Sequence, residues 1–533
     1  MTMHFLFIQL FVLAAIVAAV PVVEGDCVRQ DHGLQWLVSK LSNSAAVSCL
    51  GQPLQKHNAQ RYWGTQFSKD AQVVVYPGST EDVSFAVRAA RMSPTGNDFA
   101  IVCGGHSMIN ASSAYGFVLD LSKMSNARVA HDFRHSDGRT IVAIEYQGGA
   151  TWGQVQTATN GSGYTAVGAR VDNVGAGGFS LGGGIGFLAG AHGFAVDRLV
   201  QMEVVLADGK IVLATKTNEY RDLFWALQGG SGQFGVVTRF WQEAVREPKT
   251  STLGFYYIDD ADVPRLQEQT VAWFQHNKDP FSVVYYSYGY LPSTLQNPTP
   301  ADYAKRTLLI TVHFDDPTQP NQPDNNAAFA SIFSGINTKN GAVITSKYYS
   351  DLVFAGQAAY PYGYRRGFYG PQTSQIDVAF LQTLTSSFGR YIDQQILAGE
   401  HPYSASMVVQ YMFPGLNGRL PKLDTDTAWP HSKVGHQMLF TPAYRRATGD
   451  ACARAALQAF NQLTYDQQRK TGGFIANYPN YISPGDSGRM VWGDNVERLI
   501  QIKAKYDPRC LIRNGRVFAT SECIKGGWAN IYA

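Results

Sequence analysis

The run Ile101-Val-Cys-Gly-Gly-His-Ser107 constrains what this 533-residue chain can fold into more than any other stretch. An apolar, β-prone segment, Phe99–Val102, ends in two glycines, a histidine and a hydroxyl. Residues without a Cβ let consecutive backbone N–H groups close around an anion such as a pyrophosphate. His106, directly after that cradle, can reach whatever ring system the anion carries. Taken alone, the motif is more simply a turn beside an ordinary histidine. Its neighbours separate the two readings.

Upstream, Val73-Val-Val-Tyr-Pro-Gly-Ser-Thr-Glu-Asp-Val83 reads as a strand, a Pro-Gly turn and a helix start. Ser79 can cap that helix with Asp82 as its box partner, and Val83, Ala86, Val87 and Ala90 form its buried stripe. Downstream lie Gly148-Gly-Ala-Thr-Trp-Gly153, Val174-Gly-Ala-Gly-Gly-Phe-Ser-Leu-Gly-Gly-Gly-Ile-Gly186 and Asp222-Leu-Phe-Trp-Ala-Leu-Gln-Gly-Gly-Ser-Gly-Gln-Phe-Gly-Val-Val-Thr238. The second run invites a dinucleotide-fold reading and a nicotinamide enzyme. It fails in detail, because Ser180 stands where the third fingerprint glycine is needed. So many glycines would also cripple a helix, at roughly 1 kcal/mol each relative to alanine. Irregular backbone pressed flat against a large ring is expected there.

In this order and spacing the segments resemble the vanillyl-alcohol-oxidase type of flavoprotein and, within it, the berberine-bridge-enzyme-like branch. The resemblance runs from about Tyr62 to Gln242. It resumes where Trp492-Gly-Asp-Asn-Val-Glu-Arg-Leu and Lys505-Tyr-Asp-Pro508 are similar to that branch's closing helix. It implies an α+β fold: a two-lobed FAD-binding domain of the PCMH type, plus a substrate domain with a large antiparallel sheet backed by helices. It implies FAD bonded covalently through a ring nitrogen of His106 to the flavin 8α-carbon. The positions it assigns to the cofactor are His106, Cys103, Gly104, Gly105, Ser107, Val171, Val174, Gly175, Gly178, Val236, Val237 and Asn477. Many relatives add a second link through a cysteine at the place of Val171; valine forms no thioether, so a single link is expected. Cys103 reads as structural rather than as a second tether, and Val102 stands where an arginine is frequent. Val174 falls beside the flavin's reactive edge, where a small residue leaves room for dioxygen. In Phe474-Ile-Ala-Asn-Tyr-Pro479, Tyr478 is the catalytic candidate, as acceptor of a substrate proton or as an aromatic wall of the pocket. An unperturbed phenol near pKa ~10 needs help to act as a base, and Asn480 replaces the acid frequent two residues on. The resemblance makes Asp197 a structural acid.

The leader has its own logic. Phe5–Val20 is a nearly unbroken apolar run followed by small residues, read as a secretory signal ending after Gly25, or after Ala19, against the alternative of a membrane anchor. In an exported chain, Cys27 with Cys49 and Cys510 with Cys523 look like staples on the two ends, although spacing proves neither pairing. No zinc-like spacing exists, so no metal is expected. Asn110-Ala-Ser112 and Asn160-Gly-Ser162 have the form of glycosylation acceptors, with a glycan disfavoured at Asn110. Charged residues make up 16% of the chain and the net charge is +3, against roughly 25% charged in an average soluble protein. No basic run supports binding to nucleic acid or a membrane surface.

Expected boundaries are a leader over 1–25, a helical lead-in over 26–61, the FAD domain over 62–246, the substrate domain over 247–476 and a return to the FAD domain over 477–533. Leu253–Ile258, Ser282–Tyr290, Leu308–Phe314, Met407–Phe413 and His436–Thr441 read as strands, with amphipathic helices over Ile376–Leu397 and Ala451–Gln468. Gln410, Tyr411 and His436 lie on those strands, either facing the ring or as ordinary strand residues. Tyr360-Pro-Tyr-Gly-Tyr364 with Arg365 and Arg366 lines the pocket mouth in this reading. The function expected is a secreted, monomeric, FAD-linked oxidase. It passes hydride from a small organic substrate to flavin and electrons on to dioxygen, as a tailoring enzyme of secondary metabolism. A carbohydrate oxidase, an oxygen-avoiding dehydrogenase and a non-catalytic flavin carrier are the alternatives.

Overall fold

The computed structural model describes residues 20–292, 299–316, 318–319, 321–356, 362–399, 404–413, 423–483, 485–515, 517–525 and 531–532. The expected leader up to Ala19 lies outside them, as do Tyr360 and Pro361 of the tyrosine-rich segment. No helix among the described residues is long and apolar enough to cross a membrane.

Short β-prone runs build the first lobe. Val73–Tyr76 and Phe99–Val102 pair in parallel on either side of Phe117–Asp120. The helix Thr80–Met92 makes the first crossover; Ser79 and Asp82 form its capping box, and Val83, Ala86, Val87 and Ala90 are buried. Such a cap contributes about 0.5–2 kcal/mol. The lead-in is only partly helical. Between the helices His32–Val38 and Pro53–Gln60 lies the strand Ala46–Cys49, antiparallel to Val73–Tyr76. Ala-Val-Ser-Cys is buried at every position, and an open sheet edge decided its conformation. Val22–Glu24 then adds in parallel to its outer side. The Glu24 carboxylate accepts from Ser48 Oγ at 2.7 Å and from Leu54 N at 3.0 Å, and the Cys27–Cys49 disulfide closes the corner.

A second sheet holds five antiparallel strands in the spatial order Ile211–Thr215, Leu199–Val205, Val236–Glu243, Thr140–Gln147, Ala127–Arg134. From Thr250 onward the chain builds an eight-stranded antiparallel sheet. Most of its strands outrun their expected ends: Tyr303–Asp315 is thirteen residues, paired along its length with Thr250–Ile258 and Ser282–Pro292, whereas Ser404–Gln410 begins before the expected Met407 and stops short of the expected Phe413. The polar edge strand Thr338–Ser346 and the helix Val263–His276 stand outside the expected set. Alternation sorts the faces. Val284, Tyr286, Met407 and Val409 pack under the helices Val263–His276, Val378–Leu397 and Asp450–Thr471. Leu253, Phe255, Tyr285 and Val408 face the first lobe.

The C-terminal segment packs on the first lobe. Trp492 Nε1 donates to the Gly229 carbonyl at 2.8 Å, and Leu499 and Ile502 join the core that holds Leu223–Leu227. Cys510 and Cys523 form the second disulfide. Lys503 is fully buried; its ammonium donates to Asp507 Oδ2 at 2.6 Å and to the carbonyls of Gln233 and Ile512 at 2.7 and 2.6 Å. Burial lowers its pKa, opposed by the Asp507 carboxylate. Lys503→Ala strands a buried carboxylate and is expected to cost about 3–5 kcal/mol in denaturant unfolding. A loss within the ~0.5 kcal/mol of a surface change would contradict that role.

Candidate functional site

The two lobes enclose a cavity of about 470 Å³ whose floor is largely bare backbone. The strand Phe99–Val102 delivers Cys103, Gly104 and Gly105 to the point where the loop ending at Gly175 crosses it. A Cβ on Gly104 would lie 2.3 Å from the Gly175 nitrogen, and one on Gly175 would lie 2.5 Å from the Gly104 nitrogen. Only glycine at both places permits the crossing. Gly105 has φ +70°, in the left-handed region. A Cβ on Gly178 would meet nothing within 4 Å, so its backbone faces open cavity. Ala176–Leu181 is a six-residue helix where irregular backbone was expected. Burial of Ala176 and Leu181 and the 2.8 Å bond between Tyr146 and Ser180 hydroxyls hold it despite its glycines. Gly182–Gly186 beyond it is irregular, with positive φ at Gly183 and Gly184.

His106 lies at one end of this floor. Its ring stacks on Trp63 (5.1 Å, 14° between planes) and meets Tyr362 edge-on at 6.2 Å. Burial, with the Arg366 guanidinium adding to it, pushes its pKa down to about 3; the imidazole is uncharged at neutral pH. Its Nε2 is buried without a hydrogen-bond partner among the described residues. The Cys103 thiol borders the cavity deep in the protein, donates to the Ala150 carbonyl at 3.3 Å, and is pushed up to about 11 by burial. Arg61, ion-paired with Asp120, donates to the Cys103 carbonyl at 2.6 Å and fixes the loop from behind. Ser107 Oγ accepts from the backbone N–H groups of Ile109 and Ala111 at 3.4 and 3.3 Å. Val171, Val174, Val236 and Val237 all line the cavity.

Asn477 does not. The chain is extended there and bridged to Pro371, so neighbours face opposite ways. Asn477 turns into the protein, where Nδ2 donates to the Tyr465 hydroxyl at 3.3 Å. Tyr478 turns to the cavity. Its phenol oxygen accepts from Gly184 N at 2.8 Å, Ile185 N at 2.9 Å and Asn480 Nδ2 at 2.9 Å. Burial raises the phenol above its ordinary range. The three N–H donors oppose that push, because they favour the phenolate form. Asn480 also donates to the Phe179 carbonyl at 3.0 Å, which a carboxylate at that place could not do.

Tyr411 and His436 fall on the helix-backed side of the large sheet, packed against Phe274; alternation places them away from the cavity. Gln410 accepts from Arg170 Nη1 at 2.6 Å. Asp197 accepts from Phe194 N at 2.8 Å and contacts His431 Nε2 at 2.9 Å, an architectural position. Of the two neighbouring arginines, Arg365 is bound to Asp450, with Nε donating to Oδ1 at 2.7 Å, whereas Arg366 is buried and lines the cavity. Sequence reasoning missed Trp63 and Arg170. Arg170 also donates to the Tyr481 hydroxyl and lies over the Tyr285 ring, joining floor to sheet. The sheet wall was readable from its alternation: Leu253, Phe255, Leu308, Ile310, Val408 and Leu439 all point inward. Its Ser406 and Thr441 hydroxyls bond each other at 2.6 Å. Among the described residues, no group of His, Cys, Asp and Glu could hold a metal ion.

Tyr478→Phe tests whether this phenol serves as a staple. Baring buried donors costs about 1–3 kcal/mol apiece, so thermal stability is expected to fall together with activity. Unchanged stability with turnover lost would restore the proton-acceptor role.

A bare floor, a glycine crossing and an orphaned imidazole nitrogen fit a large planar cofactor bonded at one edge. The comparisons support FAD as that cofactor. A model described as an FAD binding domain matches residues 71–215, and one described as berberine and berberine like matches 476–515. The FAD-linked oxidoreductase pgmH of Aspergillus terreus is 34% identical over 212 residues, 40% of this chain and 41% of that protein. That match therefore spans about two fifths of the relative's length. An uncharacterized FAD-linked oxidoreductase of Arthroderma benhamiae is 24% identical over 85% of this chain and 88% of its own. Among solved structures, the glucooligosaccharide oxidase of Acremonium strictum, with a 6-S-cysteinyl, 8α-N1-histidyl FAD, superposes with TM-score 0.64. It is 19% identical, over 85% of this chain and 92% of that one. The chain thus carries an FAD binding domain and a berberine-like C-terminal segment, its relatives are named FAD-linked oxidoreductases, and its fold is that of the oligosaccharide oxidases it superposes on.

Proposed function

We propose that this protein is an exported oxidase that carries FAD on a single covalent link through His106 and oxidises a flat, apolar organic substrate. The carrying observation is the uncharged ring of His106, whose Nε2 has no partner among the described residues, at the end of a cavity floored by glycine backbone. FAD, when bound, supplies the hydride-accepting and oxygen-reducing chemistry. The chain's own share is placement. Gly104, Gly105 and Gly175 present backbone to the cofactor, while Val171, at the place of the relatives' cysteine, offers only alkyl contact. The sheet wall excludes water and presses the substrate toward the floor. Tyr478 holds the C-terminal segment on the Gly182–Gly186 loop, and Val174 leaves space for dioxygen.

The wall also bears on the substrate. A sugar buries a hydroxyl on nearly every carbon, and each one left unpartnered costs about 1–3 kcal/mol. The wall is mostly apolar, and of its hydroxyls Ser406 and Thr441 already bond each other, which leaves those of Tyr257, Tyr285, Ser287, Tyr303 and Ser404 to answer a polyhydroxylated ligand. A planar, weakly polar product of secondary metabolism suits that surface better. Rapid peroxide release from oligosaccharides, and none from phenolic or polycyclic substrates, would reverse this assignment.

Acid precipitation tests the cofactor claim. The pellet is expected to stay yellow, with flavin mass on the peptide containing His106 and none on the peptide containing Val171. His106→Ala protein is expected to release all its flavin; release no greater than that of wild type would end the tethering claim.

Export is part of the same reading and bears on the mature N-terminus. Cleavage after Gly25 would remove Val22–Glu24, the outer strand of the first sheet, and with it the Glu24 contacts. Cleavage after Ala19 keeps both. The secreted protein is expected to begin at Val20 by N-terminal sequencing, and a Asp26 start would refute this.

A further inference from the structure

The stretch from Trp63 to Gln66 is stitched to both lobes. Toward the cofactor loop, Trp63 N donates to the Gly105 carbonyl at 3.1 Å. Toward the substrate lobe, Thr65 N donates to the Tyr364 carbonyl at 2.9 Å, and Gly64 bridges Tyr364. The Gln66 amide donates to the Arg366 carbonyl and accepts from Arg366 N at 3.0 Å. Above this seam the side chains stack across the lobe boundary. The Arg366 guanidinium lies 4.7 Å from the Trp63 ring centroid and 5.4 Å from that of Tyr364. Trp63 in turn stacks on His106 and meets Phe368 edge-on at 5.8 Å. Arg366 is only 3% exposed, so its charge acts in a poorly screened interior.

We propose that the Arg366–Trp63–His106 stack makes covalent attachment of the flavin conditional on docking of the substrate lobe, with Arg366 as the positioning residue. The inference rests on the reading of His106 as the tether. In the attachment step a ring nitrogen of His106 would bond to the 8α-carbon while one C–H proton and the imidazole N–H proton leave. The electron pair of that C–H bond would pass into the flavin, and dioxygen would take it up with the two protons to give hydrogen peroxide. A protonated imidazole has no lone pair for this bond. Arg366 supplies a fixed positive charge against protonation, and Trp63 holds the ring plane. The other groups facing His106 are the Asn173 amide, which favours the charged ring, and the Tyr362 ring at its edge. Arg61 and Cys103 lie one layer behind, the first neutralised by Asp120. Until the segment carrying Arg366 docks, that charge is missing and Trp63 lacks its cover from Arg366 and Phe368, and an undocked chain would bind flavin without fixing it.

The test is covalent incorporation, independent of turnover. Full-length wild type, Arg366→Met, Arg366→Lys and His106→Ala proteins are purified without flavin attached and mixed with FAD in air. The covalent fraction is followed by intact mass from pH 4 to pH 8. Burial is the larger influence holding His106 uncharged and the guanidinium the second, so loss of Arg366 raises the pH at which the imidazole protonates without restoring the ordinary value of ~6.5. The coupling rate of Arg366→Met is therefore expected to fall off at a higher pH than that of wild type and to match it at pH 8. Arg366→Lys should remain close to wild type throughout. Superposable pH profiles for Arg366→Met and wild type, or a deficit of the same size at every pH, would overturn the proposal. Covalent flavin on His106→Ala would instead remove the tether reading beneath it.

Discussion

The site depends on one contact between two stretches of main chain. Gly104 and Gly175 approach so closely that a methyl group on either would overlap the other's backbone. That approach brings the end of a parallel strand from one sheet against the loop leading into a helix beside the other. The residues proposed to meet the cofactor hang from the crossing: His106 two residues beyond one glycine, Val171 and Val174 just before the other.

The second lobe is ordered by a simpler rule. Long antiparallel strands put alternate residues on opposite faces, so one sheet builds a helix-backed core and a cavity wall at once. Tyr411 and His436 belong to the core side and Val408 and Leu439 to the wall. Arg170 and the Trp63–Gln66 seam then fasten wall to floor. A flavin in this cavity would be enclosed by two lobes that make direct bonds to each other.

Much of this could be read from residues alone, and the exceptions are informative. Glycine spacing around Cys103–Ser107 and Val174–Gly186 carried the cofactor floor, because bare backbone is something a sequence states directly. The capping box at Ser79 and Asp82 was equally legible, being local. Ala46–Cys49 was misread as part of a helical lead-in because its conformation is set by a partner strand twenty-seven residues away at Val73. Asn477 was misassigned because one residue of register separates cavity from interior in an extended segment. Trp63 and Arg366 meet across about three hundred residues of chain, and no periodicity announces such a pair. The direction of the Tyr478 oxygen was hidden for the same reason: its donors come from Gly184 and Ile185, far away in sequence.

Cys103 carries a last consequence. Thiols are attacked by peroxides as thiolates, and this one is held protonated, with its hydrogen committed to the Ala150 carbonyl. The oxidase activity proposed above would release hydrogen peroxide beside this floor. A sulfur that resists ionisation would then last in that wall through many cycles, which would give the catalyst a longer working life than an acidic cysteine at the same position.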